Sequence, residues 1–405
     1  MSVPVTILCG GLGAGKTTLL SRLLETDDRE IAVVVNDVGE VNVDADLVEA
    51  RTDLESGAEV TALENGCICC SLGTELSRSV IELWKRYEFD ALVVEASGVG
   101  EPEPIAHQFV RGPAGGPYEL DQLVTVVDAR AFHDAFAEGD EVPERRGPDE
   151  SGTRPLADLL LEQAEFCDLL VVNKCDLVSD DECERVVALL ETLQPRAEIL
   201  TTAYGAVDPD ELLEAGRFDL TAAREAAGWK AAIEADADGD RHAHAHDHTH
   251  PPERYGIEVD TYQRTRPLHP ERFAALLADL PAGLVRAKGL CWLAGRERAA
   301  ITMSYAGTET SLEVTGRWIA SFSEQQQETY RESQPDLVWD ERWGDRECRL
   351  ALIGRNVSMD ALCDRLDDCL LTDAELEADW SLYENPAPTS MGELVTVGES
   401  DRRDG

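Results

Sequence analysis

The chain has 405 residues, a formal net charge of −45 at pH 7 and a 43% hydrophobic share, which at roughly 150 residues per domain predicts two or three domains with ample buried cores. That charge excludes nucleic acid and anionic membranes as electrostatic partners, and no apolar run approaches a membrane span. With no targeting segment ahead of the first apolar run, a cytoplasmic protein is expected.

Lysine occurs only at positions 16, 85, 174, 230 and 288. So acidic a chain reads as halophilic, adapted to high salt where screening removes self-repulsion. Its periodic apolar segments argue against general disorder. Val3 to Cys9 is an apolar, β-rich run and Leu19 to Leu24 reads as helix. Between them stands Gly10-Gly11-Leu12-Gly13-Ala14-Gly15-Lys16-Thr17-Thr18, a match to G-x-x-x-x-G-K-[ST]. Its place between strand and helix is the one the chemistry needs: glycines fold the backbone round a phosphate and its N–H groups point at the anion. Gly10, Gly11, Gly13, Ala14, Gly15 and Thr18 are thus expected to cradle phosphates, Lys16 to reach the β and γ groups, and the Thr17 hydroxyl to bind Mg²⁺.

Ile31 to Asn36 predicts a second strand, followed by an acidic loop in which Asp37, Glu40 and Asp44 are within reach of Mg²⁺ or a second metal; a solvated loop is the alternative. Next comes Cys67-Ile68-Cys69-Cys70, beside Gly66. Three clustered thiols suit Zn²⁺ or a related ion such as Co²⁺ or Ni²⁺. With no adjacent fourth ligand, the site is expected to be open or shared, as transfer requires. The other eight cysteines are scattered, several in apolar runs, and read as core residues.

Leu72 to Tyr87 predicts a helix with Leu76, Val80, Ile81 and Trp84 on one face. Phe89 to Gly98 is an apolar strand ending in Glu95, with Gly98 three residues on: a Walker B acid for the Mg²⁺ shell and a backbone N–H for a γ-phosphate. Glu101 and His107 read as surface residues. Leu123 to Asp128 predicts a strand, residues 138–154 a loop and Leu156 to Phe166 a helix. Asp168 to Asn173 is a strand closed by Asn173-Lys174-Cys175-Asp176. The Asp176 carboxylate can accept both guanine N1–H and its exocyclic amine, a pair adenine does not present, while Asn173 and Lys174 brace base and loops. Ile199 to Ala203 predicts a last strand of this domain.

His242, His244, His246, His248 and His250 alternate in an acidic linker and suit low-specificity metal gathering. Beyond Pro251-Pro252 the pattern turns to α+β with a mainly antiparallel sheet. The expected organisation is a P-loop α/β domain with a mainly parallel sheet at 1–228, a linker at 229–253, a smaller α+β domain at 254–375 and a loosely held acidic tail at 376–405.

These motifs together resemble the CobW-like P-loop GTPases, relatives of the urease and hydrogenase nickel-insertion GTPases. The likeness rests on residues 10–18, Asn36 to Glu40, Cys67 to Cys70, Glu95 to Gly98 and Asn173 to Asp176. Arg266 to Pro270, Arg286 to Gly289, Trp343 to Arg346 and Leu370 to Asp373 carry it into the CobW C-terminal domain. Asp37 departs from the family's usual glutamate. The resemblance implies a GTP-hydrolysing metallochaperone that holds zinc on Cys67, Cys69 and Cys70 and delivers it to a client metalloprotein. Cobalt insertion for cobalamin or another metalloenzyme, and a GTP-regulated metal store or sensor with little turnover, are the alternatives. A small-molecule phosphotransferase lacks a recognisable acceptor site. A homo-oligomer is compatible with the sequence.

Overall fold

The computed structural model describes residues 2–26, 29–35, 59–62, 72–98, 102–137, 156–219, 230, 255–307, 309–334 and 337–397. They divide into two compact units, each with its own sheet. The first unit opens with β1 (Val3–Gly10), α1 (Lys16–Thr26) and β2 (Ile31–Val35). It continues through β3 (Glu59–Ala62), α2 (Leu72–Arg86), β4 (Ala91–Glu95), α3 (Pro102–Val110) and β5 (Tyr118–Asp128). Then follow α4 (Ala129–Phe132), α5 (Leu156–Glu165), β6 (Leu169–Asn173), α6 (Asp180–Leu193), β7 (Glu198–Thr201) and α7 (Pro209–Leu212).

The strands β2, β4 and β6 are buried at every position, which is why they read as unbroken apolar runs rather than alternating ones: helices cover both faces of a parallel sheet. The order is β3-β2-β4-β1-β5-β6-β7, every pairing parallel. All carboxyl ends therefore lie along one edge. The first strand is central, so the loop that leaves it emerges between the ends of β4 and β5, where open α/β sheets bind ligands.

Two local expectations change. On α2 the buried stripe is Leu76, Val80 and Leu83, while Trp84 is 48% exposed; the spacing i, i+4, i+7 sets the face, and Trp84 falls to its solvent side. The edge strand β3, four residues long, escaped the sequence reading because so short a run has no clear period.

The second unit holds β8 (Ile257–Arg264), α8 (Pro270–Leu277), β9 (Leu284–Cys291), β10 (Ala299–Ala306) and β11 (Glu309–Arg317). After these come α9 (Glu324–Ser333), β12 (Cys348–Arg355), α10 (Met359–Asp368), α11 (Asp373–Leu376) and β13 (Leu394–Val397). Its sheet, in the order β13-β11-β10-β9-β12-β8, is antiparallel throughout. Tyr262, Phe273, Trp292, Ile301 and Leu350 sit in its core. Two forked ion pairs brace this unit: Arg264 of β8 grips Asp367 of α10, and Arg272 of α8 grips Glu375 of α11, each with contacts of 2.8 Å.

The expectation of a loose tail from residue 376 is wrong for residues 376–397. Trp380 stacks edge-on to Trp292, Ala387 is buried, and the Arg296 guanidinium gathers the carbonyls of Asn385, Ala387 and Pro388. Strand β13 then pairs with β11. Acidic, turn-rich composition hid a segment anchored by one tryptophan and one arginine. Residues 398–405 lie outside the described part.

Burial pushes the Asp168 carboxyl, at the foot of β6, up to about 6, while the Leu123 amide at 2.8 Å and Arg217 pull it down. The native state therefore holds the proton more tightly than the unfolded chain, and this group's contribution to stability falls as pH rises from about 3.8 to about 6. Asp168→Asn, which keeps a neutral acceptor for Leu123, is expected to gain on the parent by up to about 1.4 kcal/mol per pH unit across that window. Denaturant melts of both proteins from pH 4 to 7 check the sign. In the second sheet, Gly289 has φ +150°, and a Cβ there would stand 2.1 Å from the Arg349 carbonyl oxygen. Gly289→Ala is expected to destabilise this unit by about 3 kcal/mol, read from tryptophan fluorescence during melting.

Candidate nucleotide-binding site

The phosphate-type loop leaves β1 at Gly10 and closes on itself through a turn, with the Ala14 amide donating to the Gly11 carbonyl at 3.1 Å. Helix α1 starts at once, its Leu19 amide bonded to the Gly15 carbonyl at 2.9 Å. Its first-turn amides face the loop, where the helix dipole favours an anion. Lys16 is buried and folds back over the loop, its Nζ donating to the Gly10 carbonyl at 2.8 Å and reaching that of Gly11 at 3.4 Å. An ammonium held by carbonyl oxygens can exchange them for phosphate oxygens.

Thr17 follows on the same turn and donates from Oγ1 to Glu95 Oε1 at 3.2 Å. The register explains the meeting: Glu95 ends β4 opposite Leu8 of the adjacent β1, so its side chain stands beside the start of α1. A hydroxyl and a buried carboxylate form an oxygen-only pair that suits a hard cation such as Mg²⁺. Gly98 lies in the turn three residues beyond, against Leu12 of the loop, which is 75% exposed.

The second half of the site hangs from the end of β6. Asn173 is buried, and both ends of its carboxamide are bonded: Nδ2 donates to the Ala14 carbonyl at 2.9 Å and Oδ1 accepts from the Gly205 amide at 3.0 Å. Gly15 must be glycine for this bridge to form, because at φ +108° an added Cβ would lie 2.4 Å from Asn173 Nδ2. Lys174 takes the left-handed conformation at φ +61° and donates to Asp128 Oδ2 at 2.7 Å. Asp128 and Asn173 are register partners on β5 and β6. Asp176 is exposed in the short turn that follows, and the Cys175 amide bonds to the Thr202 carbonyl at 3.1 Å, joining that turn to the loop after β7.

The structure thus brings Gly10 to Thr18, Glu95, Gly98 and Asn173 to Asp176 to one sheet edge. Sequence reasoning missed Asp128, Gly205 and Tyr204. The acid closing Val126-Val127-Asp128 was a usable sign of the first. Tyr204 has φ +57° and is 67% exposed, with its carbonyl bonded to Arg22 at 3.2 Å; nothing in its local sequence marks that conformation. His107 pairs on α3 with Glu103 at 3.5 Å. Asp37, Glu40, Asp44, Cys67, Cys69, Cys70, Glu101 and the histidines at 242, 244, 246, 248 and 250 lie outside the described residues. Among the described residues, no group of three or more His, Cys, Asp or Glu is placed to hold a metal ion, and no helix is long and apolar enough to cross a membrane.

The CobW/HypB/UreG nucleotide-binding domain model matches residues 4–201, and that of the cobalamin synthesis protein cobW C-terminal domain matches residues 257–370. The chain is 33% identical over 396 residues to zinc-regulated GTPase metalloprotein activator 1 of Dictyostelium discoideum, covering 92% of this chain and 81% of that protein. It is 32% identical over 228 residues to the zinc chaperone CobW of Pseudomonas aeruginosa, with 54% and 58% covered. Zn(II)-bound YjiA GTPase from E. coli aligns over 92% of this chain and all of that one, at 18% identity and a TM-score of 0.42. With both domain matches in sequence order and a relative covered over most of its length, the chain belongs to the CobW/HypB/UreG family and is a homologue of a zinc-regulated GTPase.

Proposed function

We propose that the protein hydrolyses GTP and couples hydrolysis to the delivery of a transition metal, zinc first, to a client metalloprotein. The observation that carries the nucleotide half is the Asn173 carboxamide, which holds the phosphate-type loop and the base-type loop together in one frame. In this reading Lys16 leaves its carbonyl partners for the β and γ oxygens, and the amides from Gly11 to Thr18 receive the phosphates. Thr17 and Glu95 would hold Mg²⁺, which would offset charge on the phosphate oxygens. Gly98 offers its N–H at the γ end. Asp176 reads guanine, while Asn173 and Lys174 keep the base loop in place.

The metal half rests on the sequence. Cys67, Cys69 and Cys70 fall between β3 and α2, in the stretch between the acidic loop after β2 and the Glu95–Gly98 turn. Zinc as cargo sits on their thiolates. Loss of the γ-phosphate shifts the flanking segments and lowers the thiolates' hold, so nucleotide state sets metal affinity. The names of the relatives, a zinc-regulated GTPase and a zinc chaperone, support zinc over cobalt or nickel.

Two measurements test this. Replacing Cys67, Cys69 and Cys70 together with serine is expected to weaken zinc binding by at least a hundredfold and to abolish zinc stimulation of GTP hydrolysis, with GTP affinity retained. Unchanged zinc affinity by competition titration sinks the metal half, and tight zinc binding with negligible turnover in the parent marks a sensor or store instead. For the base, Asp176→Asn swaps a double acceptor for one acceptor and one donor. It is expected to cost GTP at least tenfold in affinity, about 1.4 kcal/mol, while favouring xanthosine triphosphate, whose C2 oxygen accepts. Equal losses for both nucleotides would remove Asp176 from the base.

A further inference from the structure

We propose that Cys175 and Cys183 form a reversible dithiol–disulfide site that reacts with low-molecular-weight disulfides and, once oxidised, weakens guanine-nucleotide binding. Cys175 is the third residue of the base motif, and Cys183 lies in the second turn of α6. The Cys183 Sγ–H donates to Cys175 Sγ at 3.3 Å, and both side chains are half-buried and free. Most of the other described cysteines, among them Cys9, Cys167, Cys291 and Cys348, are fully buried. The two thiols are therefore in contact with each other and reachable by a small reagent.

Their surroundings assign an order of reaction. Burial, the hydrogen bond to Cys175 and the charges of Asp180 and Glu184 push the Cys183 thiol up to about 12, so it stays protonated at neutral pH. Cys175, whose sulfur accepts the Cys183 Sγ–H, is the first nucleophile. Its thiolate attacks one sulfur of a small disulfide RSSR, forming a mixed disulfide and releasing RS⁻. Cys183 gives its proton to solvent and attacks the Cys175 sulfur, releasing the second RS⁻. The sum is one dithiol plus RSSR to one protein disulfide plus two RSH, with two electrons passed to the reagent.

The structural cost falls on the base motif. A disulfide is about 2.05 Å long, so the sulfurs must close by more than an ångström from 3.3 Å. The helix α6 cannot yield easily: its start is fixed by the Ser179–Glu182 capping box, and Val186, Leu189, Leu190 and Leu193 are buried in the core. The turn carrying Asp176 and Leu177 is exposed; apart from Cys183, Cys175 Sγ meets the Val172 carbonyl at 3.2 Å and the Cys175 amide meets the Thr202 carbonyl at 3.1 Å, far less than the packing that holds α6. The turn moves, and Asp176 moves with it. The affinity effect rests on the assignment of Asp176 to guanine; the cross-link does not.

The test uses the full chain, reduced and then incubated with oxidised glutathione. Peptide mapping without reduction is expected to show a Cys175–Cys183 cross-link. GTP affinity is expected to fall about tenfold, the loss of one charge-assisted base contact, and to return with dithiothreitol. Cys183→Ser should bind GTP like the reduced parent and, on oxidation, stop at a mixed disulfide of Cys175 with glutathione, seen as an added glutathione on that peptide and no cross-link. No cross-link at saturating oxidised glutathione overturns the site. A cross-link with unchanged GTP affinity overturns the effect on binding. Failure of the reduced parent to bind GTP would instead strike the nucleotide reading itself.

Discussion

One carboxamide sets the geometry of the first unit's functional edge. Asn173 donates to the phosphate-type loop and accepts from the loop after β7, so the two loops that would bound the proposed nucleotide site are held at a fixed distance by a single buried side chain. Aspartate lacks the donor and glutamine is one carbon longer. Removing the group leaves a buried carbonyl and a buried amide without partners, about 1–3 kcal/mol each. Gly15 yields its side chain so that the Asn173 amide can approach, and the parallel register brings Asp128 beside Asn173, where it receives Lys174. Loop, strand ends and cation follow from that one contact.

The charge of the chain makes this local order matter more. A molecule at −45 repels a nucleotide at long range. Two of its five lysines, Lys16 and Lys174, stand at the proposed site, and each is held by nearby oxygen acceptors in a defined pose. At physiological ionic strength interactions fade over about 8 Å, so fixed donors at contact distance outweigh the diffuse surface field. Higher salt shortens that range further and removes repulsion while leaving buried contacts intact, which gives the acidic surface and the site compatible demands.

What was legible in the sequence is what local spacing dictates. Gly10 to Thr18, Glu95 and Asn173 to Asp176 each combine a fixed interval with an apolar strand, and both signals are visible within a dozen residues. Strands β2, β4 and β6 were readable because burial on both faces leaves an unbroken apolar run. Asp128 carried a sign in the acid that closes its strand, but its partner Lys174 is distant in sequence and joined to it only through the sheet register, and Gly205 meets Asn173 only because the loop after β7 folds back over the end of β6. The segment at 376–397 misled for the opposite reason. Its composition is that of a tail, but Trp380 finds Trp292 and Arg296 finds three carbonyls, and a few long-range contacts outweigh an average.

The contact between Thr17 and Glu95 gives the edge its direction of coupling. Glu95 is the last residue of β4, so what its carboxylate binds is felt at once by Ala96, Ser97 and Gly98. Gly98 already lies against Leu12 on the far side of the same loop. The loop is thus touched on one flank by the residue that ends β4 and on the other by the turn that follows it. A ligand that draws Lys16 and Thr17 inward must rearrange both contacts together. Under the proposed function this is the physical reason hydrolysis can be sensed: the γ end of the nucleotide would sit where one short stretch, Glu95 to Gly98, meets the loop twice, and the chain beyond Gly98 inherits the displacement.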